Sequence, residues 1–165
     1  MIAAQAELAL RAPMVSTCEL PGDLDSVHTA RTWVYGELEK HAGVAAVPTD
    51  VADLAVLLAS ELVTNAVRHT GSCRTGGTFS VEVQRRDDRV RIAVRDEGSP
   101  DGYLPKVTHP DDDQAETGRG LRIVAGLSTS HGYHCEPTGT TVYFELVWRG
   151  YDPAFPVYRY TDIIP

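Results

Sequence analysis

Between residues 51 and 69 apolar side chains recur at i, i+3, i+4 and i+7, through Val51, Leu54, Ala55, Leu58, Leu62 and Ala66. That spacing predicts one face of a helix. Pro48-Thr49-Asp50 precedes it, so Thr49 or Asp50 is the expected cap, Asp53 lies in the first turn where negative charge is favoured, and Gly71 is the expected stop. Advancing about 100° per residue puts Asn65 inside the apolar arc and Glu61 at its edge. A carboxylate and an amide one turn apart are thus expected to face the packed side. Upstream, a second helix is predicted over 24–41, with Leu24, Val27, Val34 and Leu38 on one side and Gly43 beyond it as a stop. Pro21-Gly22-Asp23 separates that helix from an expected edge strand over 14–20, and residues 1–12 read as frayed helix or disorder.

Further along, the period changes from helical to alternating. Residues 79–84 and 90–96 each alternate apolar and polar, and Asp87-Asp88 turns the chain between them, which predicts a hairpin with one apolar face. Val90, Ile92 and Val94 share the buried parity, and Asp96 is the next residue in that register, so a carboxylate is aimed inward at a strand end. Gly98 follows and allows another group to approach closely. Residues 99–117 are rich in Pro, Gly and Asp, without period, and read as a lid over a site. A helix is expected directly out of Gly118-Arg119-Gly120-Leu121, a strand over 131–136, a turn at Pro137-Thr138-Gly139, and a last strand over 140–148 with Val142, Phe144, Leu146 and Trp148 on one face. The tail, 149–165, holds several tyrosines and prolines; it either wraps the domain or binds a partner.

Composition narrows the functional classes. The 165 residues fit one domain with a core over about 20–148. A net charge of −8 argues against a sequence-independent grip on nucleic acid or on anionic lipid. No run approaches the roughly 18 apolar residues that span a bilayer, and the amino terminus lacks a secretory pattern, so a cytoplasmic protein is expected. Cys18, Cys73 and Cys135 are unpaired in spacing and imply neither a disulfide framework nor a zinc ribbon. His131-Gly132-Tyr133-His134-Cys135 lacks a second ligand pair and reads as an ordinary strand.

Each candidate residue has a plain reading beside the chemical one. Glu61 and Asn65 either share a Mg²⁺ ion with substrate phosphates, or Glu61 is simply exposed and Asn65 caps a loop. Asp96 either meets a ligand or caps its own turn. The paired glycines Gly118 and Gly120 offer free backbone N–H groups at a helix amino terminus, suited to phosphate. They form neither a Walker loop nor the dinucleotide fingerprint.

Taken in order, Glu61-x-x-x-Asn65, Asp96-x-Gly98, Gly118-x-Gly120 and Gly139-Thr140 resemble the ATP-binding domains of histidine kinases, type II topoisomerases, Hsp90 and MutL. Among these, the chain looks most similar to the stand-alone anti-sigma factor serine/threonine kinases of bacteria. The resemblance implies an α+β fold, a two-layer sandwich of a mostly antiparallel sheet with helices on one face, known as the Bergerat ATP-binding fold. It implies ATP and Mg²⁺ as cofactors. By the same resemblance Glu61 activates the attacking group and Asn65 ligates Mg²⁺. Asp96 accepts from the adenine amine, Gly98 makes room for the base, and Thr140 supports the adenine side. Gly118, Arg119, Gly120 and Leu121 lie along the phosphates, with Arg68 and His69 near them. The implied partners are a sigma factor and an anti-anti-sigma (STAS-type) protein, and the implied assembly a homodimer. Lacking the phosphoacceptor helices of sensor kinases, the chain is not expected to autophosphorylate on histidine. An ATP-loaded binding switch with weak catalysis is the alternative.

Overall fold

In the computed structural model, residues 13–40, 45–99 and 119–148 are described. The expectations for 1–12, Gly43, Gly118, the tail and all of the lid beyond Ser99 lie outside them. Strand β1 (Met14–Pro21) is followed by helices α1 (Asp25–Glu39) and α2 (Thr49–His69), a single 3₁₀ turn (Gly71–Cys73), strands β2 (Thr78–Arg86) and β3 (Arg89–Asp96), helix α3 (Arg119–Leu127), and strands β4 (Ser130–Glu136) and β5 (Gly139–Val147). The strands form one antiparallel sheet in the order β1-β2-β3-β5-β4. Helix α1 packs on α2, β1 and β2; α2 lies across β2, β3 and β5; α3 packs on α2 and β4. This is the expected α+β sandwich, with helices on one face of the sheet.

Alternation along the strands builds the core. Phe79, Val81 and Val83 on β2, Val90, Ile92 and Val94 on β3, and Val142, Phe144 and Leu146 on β5 all point into it, and Trp148 just beyond β5 is buried with them. They meet Ala55, Leu58, Leu62, Val63 and Ala66 of α2 and Val34 and Leu38 of α1. β1, predicted as an edge strand, is one edge of the sheet, and β4 is the other.

The ends of α2 differ from the sequence reading. Pro48 occupies the cap position with no side-chain cap, and its carbonyl accepts from Ala52 N at 2.9 Å, so neither Thr49 nor Asp50 caps the helix. At the other end the helix stops at Thr70, which takes extended backbone, rather than at Gly71. The Thr70 hydroxyl donates to the Ala66 carbonyl at 2.6 Å. A side chain thereby satisfies one of the last carbonyls, which a glycine turn would otherwise have done.

Candidate functional site

Helix α2 carries the first half of the site. Its buried residues are Ala52, Ala55, Leu58, Ala59, Leu62, Val63, Ala66 and Val67. That stripe keeps Ala55, Leu58, Leu62 and Ala66 of the predicted face and takes Ala52, Ala59, Val63 and Val67 in place of Val51 and Leu54, on a helix that packs on both α1 and the sheet. Asn65 and Glu61 therefore stand on the flank of the stripe, both half-buried, rather than inside it. Neither side chain has a hydrogen-bond or ion-pair partner among the described residues. Glu61 thus stands at the edge of the stripe as expected, whereas Asn65 stands at its edge too rather than inside it.

Across that flank lies the start of α3. A Cβ built at Gly120 would come within 2.5 Å of Glu61 Oε2, so the backbone of the first turn of α3 rests against the Glu61 carboxylate. Arg119 is exposed, whereas Leu121 is buried in the core and anchors α3 beside α2. Arg68 is exposed and His69 half-buried in the last turn of α2.

The second half sits at the end of β3. Asp96 is 5 % exposed, as its parity predicted. Its Oδ1 accepts from Gly98 N at 2.7 Å. Burial pushes the Asp96 carboxyl above the usual carboxylate range, against hydrogen bonds from the Gly98 and Thr140 backbone that pull it down. Gly98 has φ +73°, a conformation that favours glycine. Thr140 on β5 pairs with Asp96 in register and is itself buried, and its hydroxyl lies 3.8 Å from Cys135 Sγ on the neighbouring strand. Gly139, just before it, presses on the Asp96 carbonyl: a Cβ there would stand 2.1 Å from that oxygen. The structure thus gathers Asp96, Gly98 and Thr140 at one sheet end and sets Glu61 beside Gly120 on the helices.

These residues fit a nucleotide with its metal. A half-buried amide without a partner offers one oxygen ligand at Asn65, and Mg²⁺ commonly takes only one or two protein ligands beside waters and phosphates. Among the described residues no group of three or more His, Cys, Asp or Glu is placed to cage a metal by itself. A shared ion is the arrangement such a donor set allows.

A buried carboxylate whose proton affinity is raised by burial lowers the stability of the protein at neutral pH. Its folded pKa lies above the unfolded value, so the stability it contributes is present in acid and is lost as pH rises through the folded pKa. Asp96→Asn is therefore expected to raise the melting temperature of the nucleotide-free protein at pH 7, with the gain over wild type narrowing as the pH is lowered. Thermal unfolding across that range checks this, and a variant less stable than wild type at pH 7 would contradict it.

Sequence reasoning did not single out Ser72, which joins the two halves of the site. It is fully buried, and its Oγ accepts from Glu97 N at 3.0 Å. Gly71 N donates to the Gly98 carbonyl at 2.5 Å. The one available signal was the glycine directly after the helix, which had been read only as a stop.

The sequence pattern of the histidine kinase-like ATPase domain matches residues 20–146. Among solved structures, the chain is similar to the RsbU and RsbW domains of Rv1364c from Mycobacterium tuberculosis, at 19% identity and TM-score 0.54, over 80% of this chain and 32% of that one. It is also similar to the Erythrobacter litoralis EL346 blue-light activated histidine kinase, at 25% identity and TM-score 0.48, over 75% of this chain and 40% of that one. The chain therefore spans about a third and two-fifths of the lengths of these two proteins. No curated protein matches in sequence.

Proposed function

The chain belongs to the histidine kinase-like ATPase domain family, and from that premise we propose that it is a Mg·ATP-dependent serine/threonine kinase of an anti-anti-sigma (STAS-type) partner that also holds a sigma factor. The observation that carries the nucleotide half of this reading is Asp96: a carboxylate 5 % exposed at the end of β3, with Oδ1 held by Gly98 N and its proton affinity raised by burial, is costly to keep charged, and a further donor offsets that cost. The exocyclic amine of adenine is such a donor. Glycine at 98 and 139 leaves the sheet end uncluttered beside it.

On the helix side, Asn65 would hold Mg²⁺ through its amide oxygen. The ion, when bound, neutralises phosphate charge and orients the transferred group. Glu61 accepts the proton from the attacking serine or threonine hydroxyl at a carboxylate oxygen. The backbone of α3 from Arg119 to Leu121 binds phosphate oxygens through its free N–H groups, and Gly120 allows the approach because a side chain there would press on Glu61. Arg68 contributes positive charge nearby, and His69 stands beside it in the last turn of α2. The partner class follows from the sequence resemblance to anti-sigma factor kinases, and the likeness to a protein with an RsbW domain agrees with it.

Calorimetric titration with ATP, with and without Mg²⁺, tests the nucleotide site. Saturable Mg²⁺-dependent binding is expected, weakened about ten- to a hundredfold in Asp96→Ala through loss of a charge-assisted hydrogen bond. Absence of binding by folded wild-type protein would leave the fold without its chemistry. Mixing the protein with a STAS-domain partner and labelled ATP then reads transfer directly, with phosphoserine or phosphothreonine on the partner as the expected product.

A further inference from the structure

The 3₁₀ turn after α2 belongs to neither motif of the site, yet hydrogen bonds run through it without a gap from one to the other. Ala66 O accepts from the Thr70 hydroxyl at 2.6 Å, and Thr70 Oγ1 in turn accepts from Ser72 N at 3.2 Å. Ser72 Oγ accepts from Glu97 N at 3.0 Å, Gly71 N donates to Gly98 O at 2.5 Å, and Gly98 N donates to Asp96 Oδ1 at 2.7 Å. This path begins one residue past Asn65 and ends on the Asp96 carboxylate.

Its middle member is closely packed. Ser72 is 0 % exposed. A Cβ built at Gly22 would lie 1.7 Å from the Ser72 carbonyl oxygen, and one at Gly77 would lie 2.4 Å from it. Gly22 N also donates to Gly77 O at 2.9 Å, which closes the backbone around the serine. From the far side, the Glu97 carboxylate accepts from Thr78 N at 3.0 Å and holds that residue by its other end. Interiors this closely packed resist displacement, so the hydroxyl at Ser72 is a fixed acceptor.

A fixed acceptor at that point has a chemical consequence. Gly98 needs φ +73°, and the peptide before it must be turned so that the Gly98 N–H reaches Oδ1. Ser72 Oγ and Gly71 N grip the Glu97 amide and the Gly98 carbonyl, the groups on either side of that turn. With Oδ1 occupied in one fixed direction, the orientation of Oδ2 is settled as well.

We propose that Ser72 is a positioning residue for adenine specificity: by fixing the Glu97–Gly98 backbone it orients the Asp96 carboxylate toward the exocyclic amine of the base. This rests on the reading of Asp96 as the adenine acceptor. It assigns the discrimination between adenine and other purines to the joint between α2 and β3 as much as to Asp96 itself. A loosened joint weakens the Gly98 hydrogen bond and leaves the Thr140 backbone bond alone to direct the carboxylate, so the interaction with the amine weakens while contacts to ribose and phosphates persist.

The test compares ATP with purine riboside triphosphate, which carries hydrogen in place of the 6-amino group, on the full chain with Mg²⁺. Wild type should bind ATP more tightly by about tenfold or more. Ser72→Ala should lose about tenfold in ATP affinity and keep the affinity for the analogue within about twofold, so the discrimination shrinks toward unity. Equal weakening of both ligands would make Ser72 merely structural and overturn the proposal, as would unchanged discrimination. A wild-type protein that binds both nucleotides equally removes the adenine reading of Asp96, a separate failure visible before any variant is made. If Ser72→Ala does not fold, amide hydrogen exchange on wild type decides. ATP should slow exchange at Glu97 and Gly98 and the analogue should not, whereas equal protection by both would overturn the proposal.

Discussion

Glu61→Ala is expected to lower phosphoryl transfer to the partner by about 10²–10⁴-fold, the usual worth of a positioned general base, with Mg·ATP affinity within about twofold of wild type. The separation follows from position. Glu61 is half-buried on the flank of α2, has no partner among the described residues and lies against the backbone at Gly120 rather than in the core, so removing its carboxylate opens no buried cavity. The Asp96 end of the site is untouched by the change. Glu61→Gln, which keeps the shape and loses the basicity, should behave as the alanine variant does. Transfer rates from single-turnover labelling, set beside calorimetric affinities, give the two numbers. A drop in affinity equal to the drop in rate would assign Glu61 to binding. Partner regulation that survives intact in both variants would replace the kinase by an ATP-loaded switch.

Alternation and parity made much of the fold legible. The β2–β3 hairpin, the inward face of β5 and the burial of Asp96 all follow from the two-residue period, because a strand has only two sides and one of them is covered. Helical stripes were read less well. The arc drawn through Val51, Leu54, Ala55, Leu58, Leu62 and Ala66 missed Ala52, Ala59, Val63 and Val67, which are buried on a helix that packs on α1 as well as on the sheet, and so the flank was mistaken for the interior at Asn65. Parity also held a message that went unread. Extended by one step past Val83, it places Arg85 on the buried side, where the structure has it at 0 % exposure. Ser72 had no signal beyond the neighbouring Gly71, since the group its hydroxyl meets, Glu97 N, comes from another element and the glycines packed against it are residues 22 and 77. What tied the two halves of the site together was long-range backbone geometry, which no spacing encodes.

Arg85 is the source of the largest stability effect expected in this chain. Its Nη1 donates to the Glu37 carbonyl at 2.9 Å and to the Lys40 carbonyl, and its Nη2 donates to Ala45 O at 3.1 Å, so one guanidinium ties the end of α1 to the segment that leads into α2. Beside it, Glu37 is 5 % exposed. Burial pushes the Glu37 carboxyl up, but hydrogen bonds from Lys40 and Ser16 and the charges of Lys40 and Arg85 outweigh it and hold the group below the usual range. Arg85→Met removes the donors of three carbonyls and one of the two cations facing Glu37. A cost of about 3–5 kcal/mol is expected, or a fall of about 10 °C in melting temperature for a chain of this size. Glu37→Leu alone should also destabilise, by leaving the guanidinium without its counter-charge. The double variant should cost less than the sum of the two, because both buried charges leave together. It should not regain wild-type stability, since the carbonyls at Glu37, Lys40 and Ala45 remain without their donor. The sign of the pH effect is fixed by the lowered carboxyl: the stability it contributes is present at neutral pH and is lost as pH falls through the folded pKa, which lies below the usual glutamate range. Variants lacking Glu37 should therefore lose less stability in acid than wild type does. Strict additivity of the two single changes would show that the pair is uncoupled and that Arg85 acts only as a clamp on backbone carbonyls.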